Sequence, residues 1–358
     1  MRSKGRSVDG AVVWLRKVDM DLVAVGYPSP LTTWGFLFLE KALRRIAPDL
    51  TILRLDRFDT LADLSTHRGG RLILSMFPNP GFAEACLQRG CRSLIFADDL
   101  SEAVRHVRSA HGTSTYAALR PVSAGLVLAG PFARSPQGMI IGRDQRGAPG
   151  DILKAFLEHF GIAVSDEIAD KICQDIGFED LSLSARLRRQ SRELPQISDE
   201  DHQIIGQVLG GLREHLDRPA PGAVTWPRHC FLLGDQPNGT VPVAIDVTGR
   251  ARIIFYGPYL HLPRGQWKVR VLVGFSQDIR GMPFSIEAYS TELLGKARIF
   301  AAQGGIFEFE FDAKVTTPHE PIEVRIMNEQ GAIEGHMGLV GIDFKEWSAL
   351  PDEMPSAA

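Results

Sequence analysis

The chain has 358 residues, 44% of them hydrophobic and 23% charged, which suits two globular domains, each with its own core. A net charge of −3 and a pI near 6.4 give no general electrostatic hold on nucleic acid, despite the local cluster Arg186-Leu187-Arg188-Arg189, so no nucleic-acid partner is expected. The basic start Met1-Arg2-Ser3-Lys4-Gly5-Arg6 leads into no apolar run, because Arg16, Lys17, Asp19 and Asp21 interrupt the approach to Leu22; neither a signal peptide nor direct membrane insertion is expected.

Residues 1–216 alternate short β-rich runs with helical patterns, the behaviour of an α/β domain built on a parallel sheet. Strands are expected at 22–26, 51–55, 71–75 and 93–96, followed by helical or turn segments at 35–46, 61–65, 80–88 and 101–108. The first strand runs into the turn of Val23-Ala24-Val25-Gly26-Tyr27-Pro28-Ser29-Pro30-Leu31-Thr32-Thr33-Trp34, at the strand end where ligands sit in open α/β sheets. A phosphate cradle in such a place aims backbone N–H groups and a helix N-terminus at the anion.

Tyr27-Pro28 followed by Thr32-Thr33-Trp34 resembles the sulfotransferases that use 3'-phosphoadenosine 5'-phosphosulfate, in which Tyr-Pro-Lys-Ser-Gly-Thr-Thr-Trp cradles the 5'-phosphosulfate. The resemblance implies a P-loop-like fold of sulfotransferase type and places Tyr27, Pro28, Thr32, Thr33 and Trp34 at the cofactor. Ser29, Pro30 and Leu31 stand where that family has Lys, Ser and Gly. A charge and an N–H are thereby lost, and a side chain stands where the backbone must approach closely. The amphipathic helix 151–160 ending at Gly161, the helix capped by Ser165-Asp166-Glu167, and Ile197-Ser198-Asp199-Glu200 before a further helix extend the likeness over about 200 residues.

The family's Arg and Ser for the cofactor's 3'-phosphate fall here on Ala97 and on or near Arg105, with Asp98 and Asp99 between them, where carboxylates would repel phosphate. With Pro78 aligned, the family's general-base His falls on Met76, whose thioether takes no proton; His106 and His111 lie downstream. An active enzyme needs a cation near Thr32 and Thr33, for which Arg44, Arg120, Arg134 and Arg143 are the suppliers. No catalytic residue is assigned, and 3'-phosphoadenosine 5'-phosphosulfate is expected only if the altered loop works. Cys86, Cys91, Cys173 and Cys230 lack metal spacing and read as reduced thiols, so no metal is assigned and a cytoplasmic setting is expected.

Pro219, Pro221, Pro227, Pro237 and Pro242 mark a linker over 217–243. Strands at 251–256, 267–275, 284–289, 297–301, 306–311, 322–327 and 338–344 then predict an antiparallel β-sandwich over 244–345, with a flexible tail at 346–358. Phe307-Glu308-Phe309-Glu310-Phe311 shows the alternation plainly. The stretch from Phe255 to Arg270, with Gly257-Pro258-Tyr259 and the turn Pro263-Arg264-Gly265, resembles β-sandwich modules that bind carbohydrate in bacterial glycan-handling enzymes. That resemblance offers Tyr256, Tyr259, Trp267 and Arg270 as sugar contacts; the same rings also suit core and edge packing.

Together these readings describe a sulfotransferase-like, catalytically degenerate protein acting in biosynthesis or modification of a bacterial surface or exported polysaccharide. Its expected partners are a polysaccharide or oligosaccharide and polysaccharide-assembly proteins. One alternative is an active sulfotransferase, or another group transferase, acting on a glycan with displaced catalytic residues. Another is a scaffold or regulatory protein whose sandwich binds protein.

Overall fold

The computed structural model describes residues 6–8, 11–13, 21–55, 70–178, 182–236 and 239–350. The chain forms two compact units, Met1–Ser114 with Leu128–Ile197, and Thr115–Val127 with Ser198–Ala358. Near the start, β1 (Arg6–Val8) and β2 (Ala11–Val13) make an antiparallel pair.

Among the described residues of the first unit, five strands form a parallel sheet in the order β4 (Thr51–Arg54), β5 (Arg71–Ser75), β3 (Asp21–Gly26), β6 (Ser93–Ala97), β7 (Gly138–Gly142). Leu22 to Val25 and Leu94 to Phe96 are buried on both faces, which explains their continuous rather than alternating apolar runs. The four strands expected here are present. β7 is additional, and the expected segment 61–65 lies outside the described residues.

Helix α1 (Pro30–Ile46) starts earlier than its apolar pattern predicts, because Ser29 is its N-cap and Pro30 sits in the first turn. That position wants no N–H and a fixed φ, so Pro30 opens the helix rather than breaking the loop. The helix lies tightly on β6: a Cβ on Gly35 would fall 2.3 Å from the Phe96 ring, and one on Gly26 would fall 2.6 Å from Thr32 Oγ1. Phe38, Phe96 and Phe156 fill the layer above the sheet with edge-on ring contacts. Helices α2 (Pro80–Gln88) and α3 (Leu100–His111) follow β5 and β6. Helix α4 (Thr115–Ala133), which belongs to the second unit through Val127 and to the first from Leu128, contains Pro121 and Pro131, which a local reading takes as breakers. Burial of Leu119, Val122, Leu126 and Phe132 outweighs them. Helices α5 (Pro149–His159), α6 (Asp166–Asp175) and α7 (Leu183–Glu193) complete this unit, with Ser165 capping α6 as its sequence predicts.

The second unit holds α8 (Asp199–Asp217) and two antiparallel sheets. One runs β10 (Ile245–Asp246), β18 (His336–Ser348), β13 (Gly265–Phe275), β16 (Gly305–Val315), with β8 (Val224–Pro227) paired to β18. The other runs β15 (Leu293–Phe300), β14 (Pro283–Tyr289), β17 (Ile322–Asn328), β11 (Arg252–Tyr256), β9 (Leu232–Leu233), with β12 (Pro258–Leu260) on β17. Strand β13 shows why they form: Trp267, Val269, Val271 and Val273 are buried, while Lys268 and Arg270 alternate outward.

All seven expected strands of the antiparallel region occur. Within 217–243, expected as a linker, β8 pairs with β18 and β9 with β11, and Val224 and Trp226 are fully buried. Prolines there bound short strands instead of forbidding them: Pro227 is the last residue of β8. At the other end, β18 continues through Ser348, into the stretch expected as tail.

Candidate functional site

The turn after β3, the turn after β6 and the residue after β7 converge at the carboxyl ends of three adjacent parallel strands. Chain order reverses direction across the sheet here, since β4 and β5 lie on one side of β3 and β6 and β7 on the other. At this point the Asp98 carboxylate accepts a hydrogen bond from the Leu31 N–H (2.9 Å) in the first turn of α1. It also accepts one from the Asp99 N–H (2.8 Å) and one from Arg143 Nε (2.7 Å). Asp98 is only 3% exposed. A carboxylate of the chain itself therefore sits on the helix N-terminus that a phosphate cradle would present to its ligand.

The rest of the loop is turned inward as well. Ser29 Oγ accepts from the Thr32 N–H (3.1 Å) and donates to Thr32 Oγ1 (3.0 Å), and Thr32 Oγ1 reaches the Phe96 carbonyl (3.5 Å). Tyr27 is fully buried and its hydroxyl donates to the Asp98 carbonyl. Trp34 packs among aromatic residues of the core, stacked on Phe38 at 4.8 Å. Pro28 is half-buried, and Thr33 is exposed with its hydroxyl 3.4 Å from His106 Nε2. The structure thus brings Tyr27 and Leu31 to Asp98, ties Ser29 and Thr32 to each other beside them, and leaves Thr33 exposed.

Of the four arginines named from sequence, Arg143 reaches the cradle, and it arrives paired. Besides Asp98 it meets Glu102 at 3.4 Å and Ser191 Oγ at 3.1 Å, while Ser191 Oγ donates to Glu102 at 2.5 Å. Burial works against the Arg143 charge, but the Asp98 hydrogen bond and charge, with Glu102 and Asp99, raise its pKa above the ordinary arginine value. Arg44 pairs with Glu40, and burial lowers the pKa of Arg134. Arg120 belongs to the second unit, where its Nε donates to the Pro258 carbonyl.

The 3'-phosphate position is closed too. Ala97 is buried, and Arg105 donates to the backbone carbonyls of Ser191, Leu194 and Pro195 and to Glu102. Met76 packs against the core and carries no basic nitrogen to the site. These residues do not fit a bound 3'-phosphoadenosine 5'-phosphosulfate at either end. A groove of about 480 Å³ lies on the same unit, lined by Pro149, Gly150, Glu167, Asp170 and Lys171, with none of the cradle residues in its wall. Among the described residues no group of His, Cys, Asp and Glu is arranged for a metal ion, and no helix is long and apolar enough to cross a membrane.

In the sandwich, two of the four expected sugar contacts come together. Tyr256 and Tyr259 meet edge to face at 6.1 Å, and the Arg120 guanidinium lies 5.3 Å from the Tyr259 ring centre. Tyr259 adopts φ 66°, a left-handed conformation that is costly for a bulky residue. Burial and a hydrogen bond with Glu323 push its hydroxyl pKa up to about 12. Trp267 departs from expectation: it is fully buried, its indole N–H donates to the Pro263 carbonyl at 3.1 Å, and no ring face is left for a sugar. Arg270 lies on the other sheet, tied to Asp343 and to Glu308. Sequence reading missed Glu287, Arg325 and Tyr289 on the sheet that carries Tyr256. Arg325 covers the Tyr289 ring at 4.5 Å and pairs with Glu287 at 2.8 Å, and Lys296 approaches Glu287 at 2.9 Å.

No protein-family model and no curated protein matches the sequence. Solved structures do match. Mouse sulfotransferase SULT7A1 complexed with PAP aligns with 49% of this chain and 74% of its own, at 14% identity and a TM-score of 0.36. The C-terminal CBM6 of LamC from Zobellia galactanivorans aligns with 35% of this chain and 100% of its own, at 10% identity and a TM-score of 0.24. The carbohydrate-binding module CBM6cm-2 of Cellvibrio mixtus lichenase 5A, solved with cellotriose, covers 34% of this chain and 96% of its own, at 12% identity and a TM-score of 0.24.

Proposed function

We propose that the first unit is a sulfotransferase-like domain that holds a built-in carboxylate where a sulfuryl donor would sit. On this reading the chain serves the biosynthesis or modification of a bacterial surface or exported polysaccharide by recognising glycan, and it transfers no sulfuryl group at this loop. The observation that carries the first part is Asp98, bonded at once to the Leu31 N–H and to Arg143. For a phosphosulfate to enter, that buried ion pair must open. Breaking one from a single side costs about 3–5 kcal/mol, a hundredfold to several thousandfold in affinity.

The glycan part rests on Tyr256 and Tyr259, two half-buried rings accompanied by Arg120 and Glu323, which can exchange hydrogen bonds with hydroxyl groups. Rings offer flat apolar faces to sugar C–H groups while charged neighbours fix the rim. Calorimetry with 3'-phosphoadenosine 5'-phosphate tests the first part: no saturable binding is expected at micromolar concentrations, and micromolar affinity would restore the active-sulfotransferase alternative. Electrophoresis through gels containing bacterial polysaccharides tests the second. The wild type should be retarded in at least one gel, and Tyr256→Ala should lose most of that retardation with its denaturant midpoint unchanged. Equal mobility of the two proteins in every gel removes the glycan reading.

A further inference from the structure

Cys86 and Cys91 occupy a paired position in the cap that ends α2. Gly90 turns left-handed at φ 62°, its N–H bonds to the Leu87 carbonyl (3.0 Å), and the Cys91 N–H bonds to the Cys86 carbonyl (2.9 Å). This closure brings the side chains of the two flanking positions toward each other, and helices that end this way frequently join two apolar groups there. Here both groups are thiols, close enough that each shifts the ionisation of the other. Cys86 is 4% exposed, while Cys91 is half-buried and open to a small reagent.

We propose that Cys86 and Cys91 form a dithiol site that reacts with hydroperoxides and closes reversibly to a disulfide. Two features set the order of events. The Cys86 thiol, by donating its hydrogen bond, holds Cys91 down at about 7 against the opposing effect of burial. The same contact and burial push Cys86 up. Cys91 is therefore the more readily ionised thiol of the two and Cys86 the reserve. The Cys91 thiolate attacks the distal peroxide oxygen, the O–O bond breaks, and the leaving hydroxide takes a proton to become water, leaving a sulfenic acid. Cys86 sulfur then attacks the Cys91 sulfur, the S–O bond breaks, and the departing hydroxide takes the Cys86 proton as a second water. Two thiols and one hydrogen peroxide thus give one disulfide and two waters. An external dithiol reverses the step. Cys173 and Cys230 are both buried, and burial pushes Cys230 up to about 12.

The test treats the full chain with equimolar hydrogen peroxide, alkylates it in denaturant and digests it with trypsin. Cleavage after Arg89 separates the two cysteines, so a disulfide leaves the peptides 72–89 and 90–92 joined until a reductant is added. The expected result is that joined pair, with two of the four cysteines losing their alkyl label and both labels returning after dithiothreitol. In Cys86→Ser, dimedone should trap a sulfenic acid at Cys91. The inference is overturned if both wild-type cysteines stay fully labelled, if Cys91 passes to sulfinic acid with Cys86 still a thiol, or if either pairs with Cys173, Cys230 or a second chain. The wild-type measurement decides the matter even where the variant fails to fold.

Discussion

Replacing Asp98 by Ala puts the built-in anion to a quantitative test. The carboxylate is 3% exposed and accepts three hydrogen bonds, from Leu31 N–H, Asp99 N–H and Arg143 Nε. One-sided loss of a buried pair costs about 3–5 kcal/mol. Arg143 keeps 23% of its side chain exposed and retains Glu102 at 3.4 Å, which places its share near the lower bound. The stranded Leu31 N–H adds about 1 kcal/mol. The expected loss is therefore about 4 kcal/mol, read from the urea midpoint at constant slope. Asp98→Asn, which keeps an acceptor for Leu31 but no charge, should lose about half as much. The variant also bares a helix N-terminus and a cation, so sulfate should raise the melting temperature of Asp98→Ala well beyond chloride at equal ionic strength. At 100 times its dissociation constant an anion restores about 2.7 kcal/mol. Wild type should show no sulfate-specific rise. A loss below about 1 kcal/mol, or equal sulfate effects on the two proteins, refutes the assignment of Asp98 as the resident anion.

Trp267→Ala removes a fully buried indole and its hydrogen bond to Pro263, and should cost about 3–5 kcal/mol in urea denaturation while leaving polysaccharide retardation of the remaining folded protein intact. A stable variant with lost retardation would return the ring to the sugar. Burial is the first cause holding His106, His159 and His261 below the ordinary histidine value of 6.5. Below 6.5 the unfolded chain takes up protons that the native state resists, so stability is full above that pH and falls as pH drops toward the folded values. The urea midpoint should be lower at about pH 5.5 than at about pH 7.5, and His261→Gln should flatten part of that slope; a midpoint independent of pH across the window contradicts it.

The strands of both units were legible because their signals are local. Four short apolar runs in the first half, and the period-two alternation of β13 and β16, each carry their signal locally, and each folds as a strand. What could not be read is what depends on distant partners. Helix α4 carries two prolines, and only burial of Leu119, Val122 and Phe132 by residues elsewhere in the chain makes it a helix. The segment 217–243 has the composition of a linker, and pairing of Val224–Pro227 with β18, more than 100 residues away in sequence, makes it a strand. Asp98 and Asp99 read alike in the sequence. Asp99 caps α3, whereas Asp98 turns to a helix 67 residues earlier and an arginine 45 residues later. Trp267 and Tyr259 were likewise equal candidates, and the register of β13 against β16 and β18 sent one inward.

The altered loop residues and Asp98 make sense as one compensated set. A helix N-terminus aimed at the end of a parallel sheet leaves unpaired N–H groups and a positive field, and a ligand anion is one way to satisfy both. In this chain Ser29 caps the Thr32 N–H, Pro30 removes an N–H that would otherwise need a partner, and Asp98 answers the Leu31 N–H together with the charge of Arg143. Glu102 and Ser191 then balance the remaining face of Arg143, and Arg105 ties Glu102 to the carbonyls that end α7. Each contact closes a valence from within the chain. The three residues that depart from the motif this turn resembles thus stand beside a helix N-terminus that already holds a charge the chain carries.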